Sequence, residues 1–294
     1  MLIHGFLNID KPAGMTSHDV VAKIRRLVGQ KRVGHGGTLD PAATGVLPLA
    51  LGEATRLISY LVDERKSYRA TVELGRSTTT DDAEGATVEE RRVPPLSSDD
   101  LLRALQPFVG TILQTPPMYS AIQVAGQRMY DLARQGQAVD LEPREIEIER
   151  IDIVEWQSPL LTLDIRCGKG AYIRAIARDL GAALGCGAHL AALRRTQVGP
   201  LDVAEAAPLA ALLEDRARLD AYLLPPDLAV AGWPRADLDE SKTKRIRNGL
   251  PLVLRGFAER EGGLVRAHGP DGRLLALLRF EAGLWKPFRV FGWI

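Results

Sequence analysis

Alternation between polar and apolar residues restricts the fold of this chain more than any other feature of its sequence. In KSYRATVELG, residues 66–75, every second position from Tyr68 to Leu74 is apolar or aromatic, and the positions between them are polar or charged. Successive side chains of a strand point to opposite faces, so this pattern predicts a half-buried strand. The segments REIEIERIDIVEW and LLTLDIRC predict two more strands in the same way.

Segments with helical spacing lie between these strands in irregular order. Ser17 is a candidate N-cap for a helix that ends near Val28 and is stopped by Gly29. Further helices are predicted in SSDDLLRALQPFVG and GAYIRAIARDLGAAL, and TPPMYSAIQVAGQRMYDLARQG predicts a strand, a turn and a helix. Regular βαβ alternation is missing, so we predict an α+β fold with a mixed, mostly antiparallel central sheet and flanking helices.

A proline-rich stretch, LPPDLAVAGWPRAD, predicts a domain boundary near residue 230. We therefore expect one domain over residues 1–230 and a small β-rich domain over residues 231–294. In the second segment, SKTKRIRNG predicts a short basic helix, and GPDG predicts a hairpin turn.

Composition narrows the classes of protein to consider. Hydrophobic residues make up 46% of the chain, but no apolar run approaches the roughly 20 residues that a membrane span needs, and the first residues do not predict a signal peptide. Two cysteines cannot form a disulfide framework, and the five histidines show no zinc-like pairing. We expect a cytoplasmic protein without a bound metal or cofactor.

Charge is unevenly distributed along the chain. The net charge is +1 overall, but residues 1–60 carry +3, residues 61–160 carry −7 and residues 161–294 carry +5. This asymmetry permits a local positive face, although charge alone favours an ordinary solvated surface.

The segment GHGGTLDPAATGVLP, residues 34–48, contains four glycines, two prolines, one histidine and one acid, Asp40. This composition predicts a loop rather than a core strand. Asp-Pro commonly opens a turn, and Asp40 could simply bond to nearby backbone amides. Its apolar neighbours favour a second interpretation, a partly desolvated carboxylate that acts as a nucleophile or base.

Three further residues have both a structural and a functional interpretation. Tyr68 is either a core aromatic of its strand or a stacking platform for a flat ligand whose phenol helps to move a proton. Arg174 either extends to solvent or pairs with a carboxylate inside the fold. His35 is either a surface residue of a glycine loop or part of a site.

Long motifs containing these residues resemble the TruB-type pseudouridine synthase family of bacteria. The resemblance runs from about residue 3 to residue 200 through NIDKPAGMTSHDVV, VGHGGTLDPAATGVLPLALGEATR, SYRATVELGRSTTTDDAEG, PPMYSAIQVAGQRMYDLAR and CGKGAYIRAIARDLGAALGCGAHLAALRR. It implies the fold of those enzymes and isomerisation of uridine 55 in the T loop of tRNA. The segment after residue 230 resembles, more weakly, a small RNA-binding domain of the PUA type.

The resemblance also implies roles for individual residues. Asp40 matches the nucleophile, Tyr68 matches the tyrosine that stacks on the target uracil, and Arg174 matches the arginine that pairs with the aspartate. Leu193 and Tyr172 match residues of the substrate pocket.

Two more matches and two departures concern the surroundings of the site. His35 matches the histidine that enters the T loop after bases flip out, and Lys11, with the proline after it, matches a pair near the tyrosine. Gly36 stands where threonine is usual, and Gln123 stands where lysine is common.

The implied partner is the T-arm stem-loop of tRNA, with no membrane, no required protein partner and a monomeric enzyme. We expect the basic sets Lys31 with Arg32, Arg194 with Arg195, and Lys242 to Arg247 to share one RNA-facing side. Isomerisation needs no cofactor, and attack on C1′, attack on C6 and a glycal route all stay open. A tRNA-folding chaperone that does not depend on catalysis and a non-catalytic RNA-binding protein are the alternatives.

Overall fold

A computed structural model describes residues 2–118, 123–124, 127–128 and 142–293 of the chain. The strands are β1 (Gly5–Lys11), β2 (Val33–His35), β3 (Thr44–Leu51), β4 (Lys66–Leu74), β5 (Arg76–Thr78), β6 (Thr87–Glu90), β7 (Gly110–Gln114), β8 (Gln123–Val124), β9 (Gln127–Arg128), β10 (Arg144–Gln157), β11 (Leu160–Cys167), β12 (Ala188–Val198), β13 (Leu201–Asp202), β14 (Ala207–Pro208), β15 (Leu223–Leu224), β16 (Arg235–Asp237), β17 (Leu264–His268), β18 (Leu274–Glu281) and β19 (Leu284–Val290). The α-helices are α1 (Ser17–Val28), α2 (Ile58–Val62), α3 (Ser98–Leu105), α4 (Ile173–Ala183), α5 (Leu209–Glu214), α6 (Leu219–Tyr222) and α7 (Glu240–Arg247). Short 3₁₀ helices span Gly52–Arg56, Gln106–Phe108, Val203–Glu205, Arg216–Arg218 and Pro226–Val230.

The large sheet is mixed and mostly antiparallel, as predicted. Its main path runs β14-β1-β3-β12-β4-β11-β10-β7, and β2, β13 and β15 pair at its sides. Along this path, only β1 with β14 and β3 with β12 are parallel pairs. Strand β4 lies between β11 and β12, and its buried parity is the one that the sequence predicts.

One expectation about the glycine-rich segment is wrong. Residues 34–48 are not one loop, because β2 includes His35 and the buried strand β3 begins at Thr44. Gly45 allows this strand to form, since a Cβ atom there would lie 2.2 Å from the carbonyl oxygen of Arg195 in β12. The carbonyl of Pro48 still accepts a hydrogen bond from the Gly36 amide at 2.8 Å.

Helix α1 begins one residue from the expected cap. The Thr16 hydroxyl accepts from the Asp19 amide and the Asp19 carboxylate accepts from the Thr16 amide, so Thr16 is the N-cap of a reciprocal capping box. Ser17 instead hydrogen-bonds to the backbone of Leu39. Gly29 ends the helix with φ of 68°, as predicted.

A second sheet, of order β16-β17-β18-β19, forms the C-terminal part of the chain, with α7 beside it. Leu274, Leu277 and Phe291 of this part pack in one buried cluster with Phe6 and Val46 of the large sheet. The domain boundary near residue 230 stays a prediction. Strands β8 and β9 pair antiparallel, and the helix predicted after them lies outside the described residues.

No helix in the described part of the chain has both the length and the apolar composition that crossing a membrane requires.

Candidate active site

The segment that carries Asp40 links β2 to β3, and hydrogen bonds fix it on both sides of the carboxylate. The Ser17 hydroxyl accepts from the Leu39 amide at 2.9 Å and contacts the Leu39 carbonyl at 3.1 Å. The Pro41 carbonyl accepts from the Lys11 ammonium at 3.1 Å and from the Gly14 amide at 2.9 Å. Asp40 therefore has little backbone freedom, although it lies outside regular secondary structure.

The Asp40 carboxylate pairs with Arg174, as the sharper interpretation of both residues predicted. Arg174 lies in the first turn of α4, and its Nη2 is 3.3 Å from Oδ2 of Asp40. The arginine side chain is only 8% exposed, whereas 45% of the Asp40 side chain is exposed. The guanidinium is thus held inside the protein, and the carboxylate faces an opening.

A second carboxylate holds the other side of the guanidinium. Nη1 of Arg174 lies 3.2 Å from Oδ2 of Asp82 and donates to the Thr80 carbonyl at 3.1 Å. Asp82 in turn accepts hydrogen bonds from the Thr80 hydroxyl and from the Glu84 amide. Arg174 therefore keeps an ion-pair partner even when the Asp40 carboxylate does not pair with it.

The pKa of Asp40 is raised above its ordinary value. Burial of the surrounding site is the largest cause, and the negative charge of Asp82 adds to it. The positive charges of Arg174 and Lys11 oppose this shift by favouring the ionised form. The Asp40 carboxylate is consequently more basic than an ordinary surface aspartate.

Tyr68 faces the same opening from β4 and is 8% exposed. Arg195, which is 1% exposed, is directly paired with Tyr68 across β4 and β12, and both residues line the same cavity. Burial raises the pKa of Tyr68, while Arg195 acts in the opposite direction.

Asp40, Tyr68, Tyr172, Arg174 and Leu193 all line one cavity of about 360 Å³. Small-molecule sites in proteins usually enclose about 300–1,000 Å³, so this cavity suits a single flat ring. A larger opening of about 680 Å³ lies near His4 and Trp293, but no tyrosine is among the described residues that line it.

Other reactive groups near the cavity are poor candidates for the chemistry. Burial raises the pKa of the Cys167 thiol to about 11, so it is not a thiolate at neutral pH. The Lys66 ammonium donates to the carbonyls of Val62 and Glu64 at 2.7 and 2.8 Å. Among residues 2–118 and 142–293, no group of three or more His, Cys, Asp or Glu side chains is arranged to hold a metal ion.

Two residues that the resemblance implies for substrate binding lie apart from this cavity. Lys11 is fully buried, and its ammonium donates to the carbonyls of Pro12, Met15 and Pro41, so it holds the Asp40 segment in place. His35 lies in β2 with its ring 5.1 Å from that of His18. Burial lowers the pKa of His35, which favours a neutral imidazole at pH 7.

The two departures from the family pattern differ in what the structure says of them. Gly36 is buried, and a Cβ atom there would lie 3.2 Å from Ile58 Cγ1 and 3.3 Å from Pro48 Cβ. This tight packing suits glycine better than threonine. The side chain of Gln123 lies outside the described residues.

Sequence reasoning missed Asp82 and misjudged Arg195. Asp82 lies in a polar stretch, TTTDDAEG, where two adjacent acids gave no sign of which one faces the site. Arg195 was expected to face RNA beside Arg194, and its burial rules this out. Neighbouring strand residues point to opposite faces, so Arg194 reaches Asp10 at 2.7 Å while Arg195 points into the fold.

Family models match nearly the whole chain. Residues 25–173 match the TruB family pseudouridylate synthase N-terminal domain, residues 174–231 match the tRNA pseudouridylate synthase B C-terminal domain, and residues 233–292 match the tRNA pseudouridine synthase II C-terminal region.

Full-length relatives share this similarity. The chain is 45% identical to tRNA pseudouridine synthase B of Dehalococcoides mccartyi strain 195, over 98% of this chain and 97% of that protein. It is 44% identical to the protein of the same name from Synechococcus elongatus, over 98% of each chain.

Solved structures with the same fold include complexes with RNA and with other proteins. A chain in the structure of an H/ACA RNP bound to a substrate RNA containing 2′-deoxyuridine superposes with a TM-score of 0.74 at 25% identity, covering 98% of this chain and 85% of that one. A chain of a Cbf5-Nop10-Gar1 complex gives a TM-score of 0.74 at 27% identity, with coverage of 98% and 84%.

Proposed function

This chain belongs to the TruB family of pseudouridylate synthases, and we propose that it converts uridine 55 in the T loop of tRNA to pseudouridine. The observation that carries this proposal is the Asp40–Arg174 pair at a cavity that Tyr68 also lines. The names of the relatives support tRNA as the substrate. The long motifs around Asp40 and Tyr68 support the T-loop uridine. The two cysteines, too few for a disulfide framework, support an enzyme of the reducing cytoplasm.

The reaction breaks the bond between C1′ and N1 and forms a bond between C1′ and C5. The base loses a proton from C5 and gains one at N1, so atoms and electrons balance without an oxidant or a cofactor. Asp40 is the nucleophile in this proposal. Attack on C1′ and attack on C6 both require the ionised carboxylate, and the glycal route requires it as a base.

The charges around Asp40 fit that requirement. A raised pKa makes the carboxylate a better base and nucleophile, while the positive charge of Arg174 favours its ionised form. Because Asp82 and the Thr80 carbonyl hold Arg174 on its far side, the guanidinium stays in place while Asp40 reacts. Such preorganisation reduces the reorganisation that the reaction would otherwise require.

Uridine 55 must leave the folded loop to reach this cavity. Unstacking a base costs a few kcal/mol, and stacking on an aromatic ring offsets about 1–3 kcal/mol. In this proposal Tyr68 stacks on the uracil, while Leu193 and Tyr172 form other walls of the cavity. His35, which lies outside the cavity, fills the space that the flipped base leaves. A neutral ring suits that position, because stacking between bases needs no charge.

The experiment that tests this function uses unmodified tRNA and maps pseudouridine by position after incubation with the protein. We expect modification at position 55 and none in a tRNA with cytidine at that position. Modification at another position alone would contradict the substrate. Improved tRNA folding without any pseudouridine would favour the chaperone instead.

A further inference from the structure

Arg195 is the most buried of the cations that line the cavity, and it has no role in the proposed function. It lies in β12, opposite Tyr68 of β4 on one side and Gly45 of β3 on the other, and it is 1% exposed. Within the described ranges, no carboxylate lies within ion-pairing distance of its guanidinium. Burying a charge without an opposite charge is costly, so this arginine is not explained by stability.

The hydrogen bonds of the Arg195 guanidinium lead to the backbone on both sides of Asp40. Its Nε donates to the Val46 carbonyl at 2.7 Å, and its Nη2 donates to the Gly37 carbonyl at 3.1 Å. These two carbonyls lie on either side of Asp40 in the chain. Tyr68 is directly opposite Arg195 in β4, and both residues line the cavity. One side chain, held by the backbone around Asp40, therefore lies beside Tyr68.

The chemistry of guanidinium decides how it can act on the phenol. Arginine has only donors, so the Tyr68 oxygen is the acceptor in any hydrogen bond between the two side chains. Such a bond directs the phenol proton elsewhere. A nearby cation also favours the phenolate form if Tyr68 gives up that proton during the reaction.

We propose that Arg195 is a positioning residue, which orients the Tyr68 hydroxyl toward the substrate base and fixes its distance from Asp40. This inference rests on the proposed function, because the orientation matters only if Tyr68 takes part in proton transfer. It assigns Arg195 to the chemistry rather than to the RNA-facing surface that its sequence neighbourhood suggested.

The test is a double-mutant cycle between Arg195→Lys and Tyr68→Phe. Lysine keeps the charge, but its single ammonium cannot reproduce the planar fork that holds both backbone carbonyls and lies beside Tyr68. We expect Arg195→Lys to slow single-turnover pseudouridine formation about 10- to 100-fold, with tRNA affinity unchanged. In the Tyr68→Phe background, Arg195→Lys should slow the reaction less than about 3-fold. The reason is that Tyr68→Phe has already removed the same interaction between the two side chains.

Arg69→Lys is the matched control. Arg69 neighbours Tyr68 in β4, but its side chain is 53% exposed and pairs with Asp164. This variant should react like the wild type. Equal slowing by Arg195→Lys in both backgrounds would show a general structural effect and overturn the proposal. Weaker tRNA binding with an unchanged rate would overturn it too.

A measurement without RNA separates this inference from the proposed function. The ¹³Cζ resonance of Tyr68, identified by its loss in Tyr68→Phe, reports ionisation of the phenol. Arg195→Lys should shift its titration to higher pH, and an unchanged titration would overturn the contact. If Arg195→Lys does not fold, Arg195→Gln, which keeps a donor but lacks the charge, takes its place in both experiments. If the wild-type protein makes no pseudouridine but Arg195→Lys still shifts the Tyr68 titration, the proposed function is refuted and the contact between the two side chains stands.

Discussion

Replacing Asp40 with asparagine separates chemistry from stability in this protein. The asparagine keeps the size of the side chain but removes the negative charge and the nucleophile. We expect single-turnover pseudouridine formation to fall by more than about 10⁴-fold, since losing a nucleophile typically costs that much or more. tRNA binding should persist, because the rest of the cavity remains.

The structure also predicts the effect of this substitution on folding. From sequence alone, removing Asp40 would leave a buried arginine unpaired and lower the stability. However, Arg174 retains Asp82 at 3.2 Å and the Thr80 carbonyl. Asp40 is also 45% exposed, and pairs of that kind contribute about 0–1 kcal/mol. The free energy of unfolding at pH 7 should therefore change by less than about 1 kcal/mol.

The sign of that change follows from the raised pKa of Asp40. A carboxyl group whose pKa is raised on folding favours the folded state while it is protonated, and this contribution is lost as the pH rises through the folded pKa. Asparagine is neutral at every pH, so Asp40→Asn should be as stable as the wild type or slightly more stable at pH 7. The difference should shrink as the pH falls toward the ordinary value of 3.8.

The assay combines three measurements on each variant: tritium released from C5-labelled uridine in tRNA, tRNA binding on filters, and urea unfolding. Asp164→Asn is the matched control, because it removes the charge from another arginine-paired aspartate on the protein surface. Appreciable pseudouridine from verified Asp40→Asn would refute Asp40 as the nucleophile. A decrease of more than about 3 kcal/mol in the free energy of unfolding is the value expected for breaking a buried ion pair. That result would refute the conclusion that Asp82 and the Thr80 carbonyl hold Arg174 without Asp40.

Four further outcomes are expected. Tyr68→Phe keeps the ring but loses the hydroxyl, so turnover should fall strongly with tRNA affinity little changed; near-normal single-turnover rates would leave Tyr68 only a stacking role. Arg174→Met leaves Asp82 buried without its cation, and urea unfolding should show a loss of about 3–5 kcal/mol, whereas a change below about 1 kcal/mol would show that the pair is not effectively buried. The acid limb of the single-turnover rate should lie at a pH above 3.8, because burial raises the pKa of Asp40, and a limb at or below 3.8 would contradict that shift. Affinity for tRNA should fall steeply between about 50 and 200 mM salt, and Lys244→Ala in α7 should reduce the slope of log Kd against log salt by about 1 if this lysine contacts a phosphate; an unchanged slope would remove α7 from the RNA-facing side.

The sequence alone predicted the elements whose pattern is local. Period-2 alternation places β4, β10 and β11, and Gly29 ends α1, because strand pleating and left-handed backbone depend on residues close in the chain. Motif resemblance then indicated Asp40, Tyr68 and Arg174, and all three line one cavity. Their catalytic roles stay predictions.

Only the tertiary structure decided which partners complete the site. Gly45 looks like a loop residue in the sequence, yet it belongs to a buried strand because β12 approaches too closely for a side chain. Asp82 reaches Arg174 from a polar loop 92 residues away. Arg194 and Arg195 are adjacent arginines that the sequence does not distinguish. The pleat of β12 turns Arg194 toward Asp10 and Arg195 into the fold beside Tyr68. Contacts of this kind depend on which distant strands lie side by side, and the local residue pattern of one strand does not determine its neighbours.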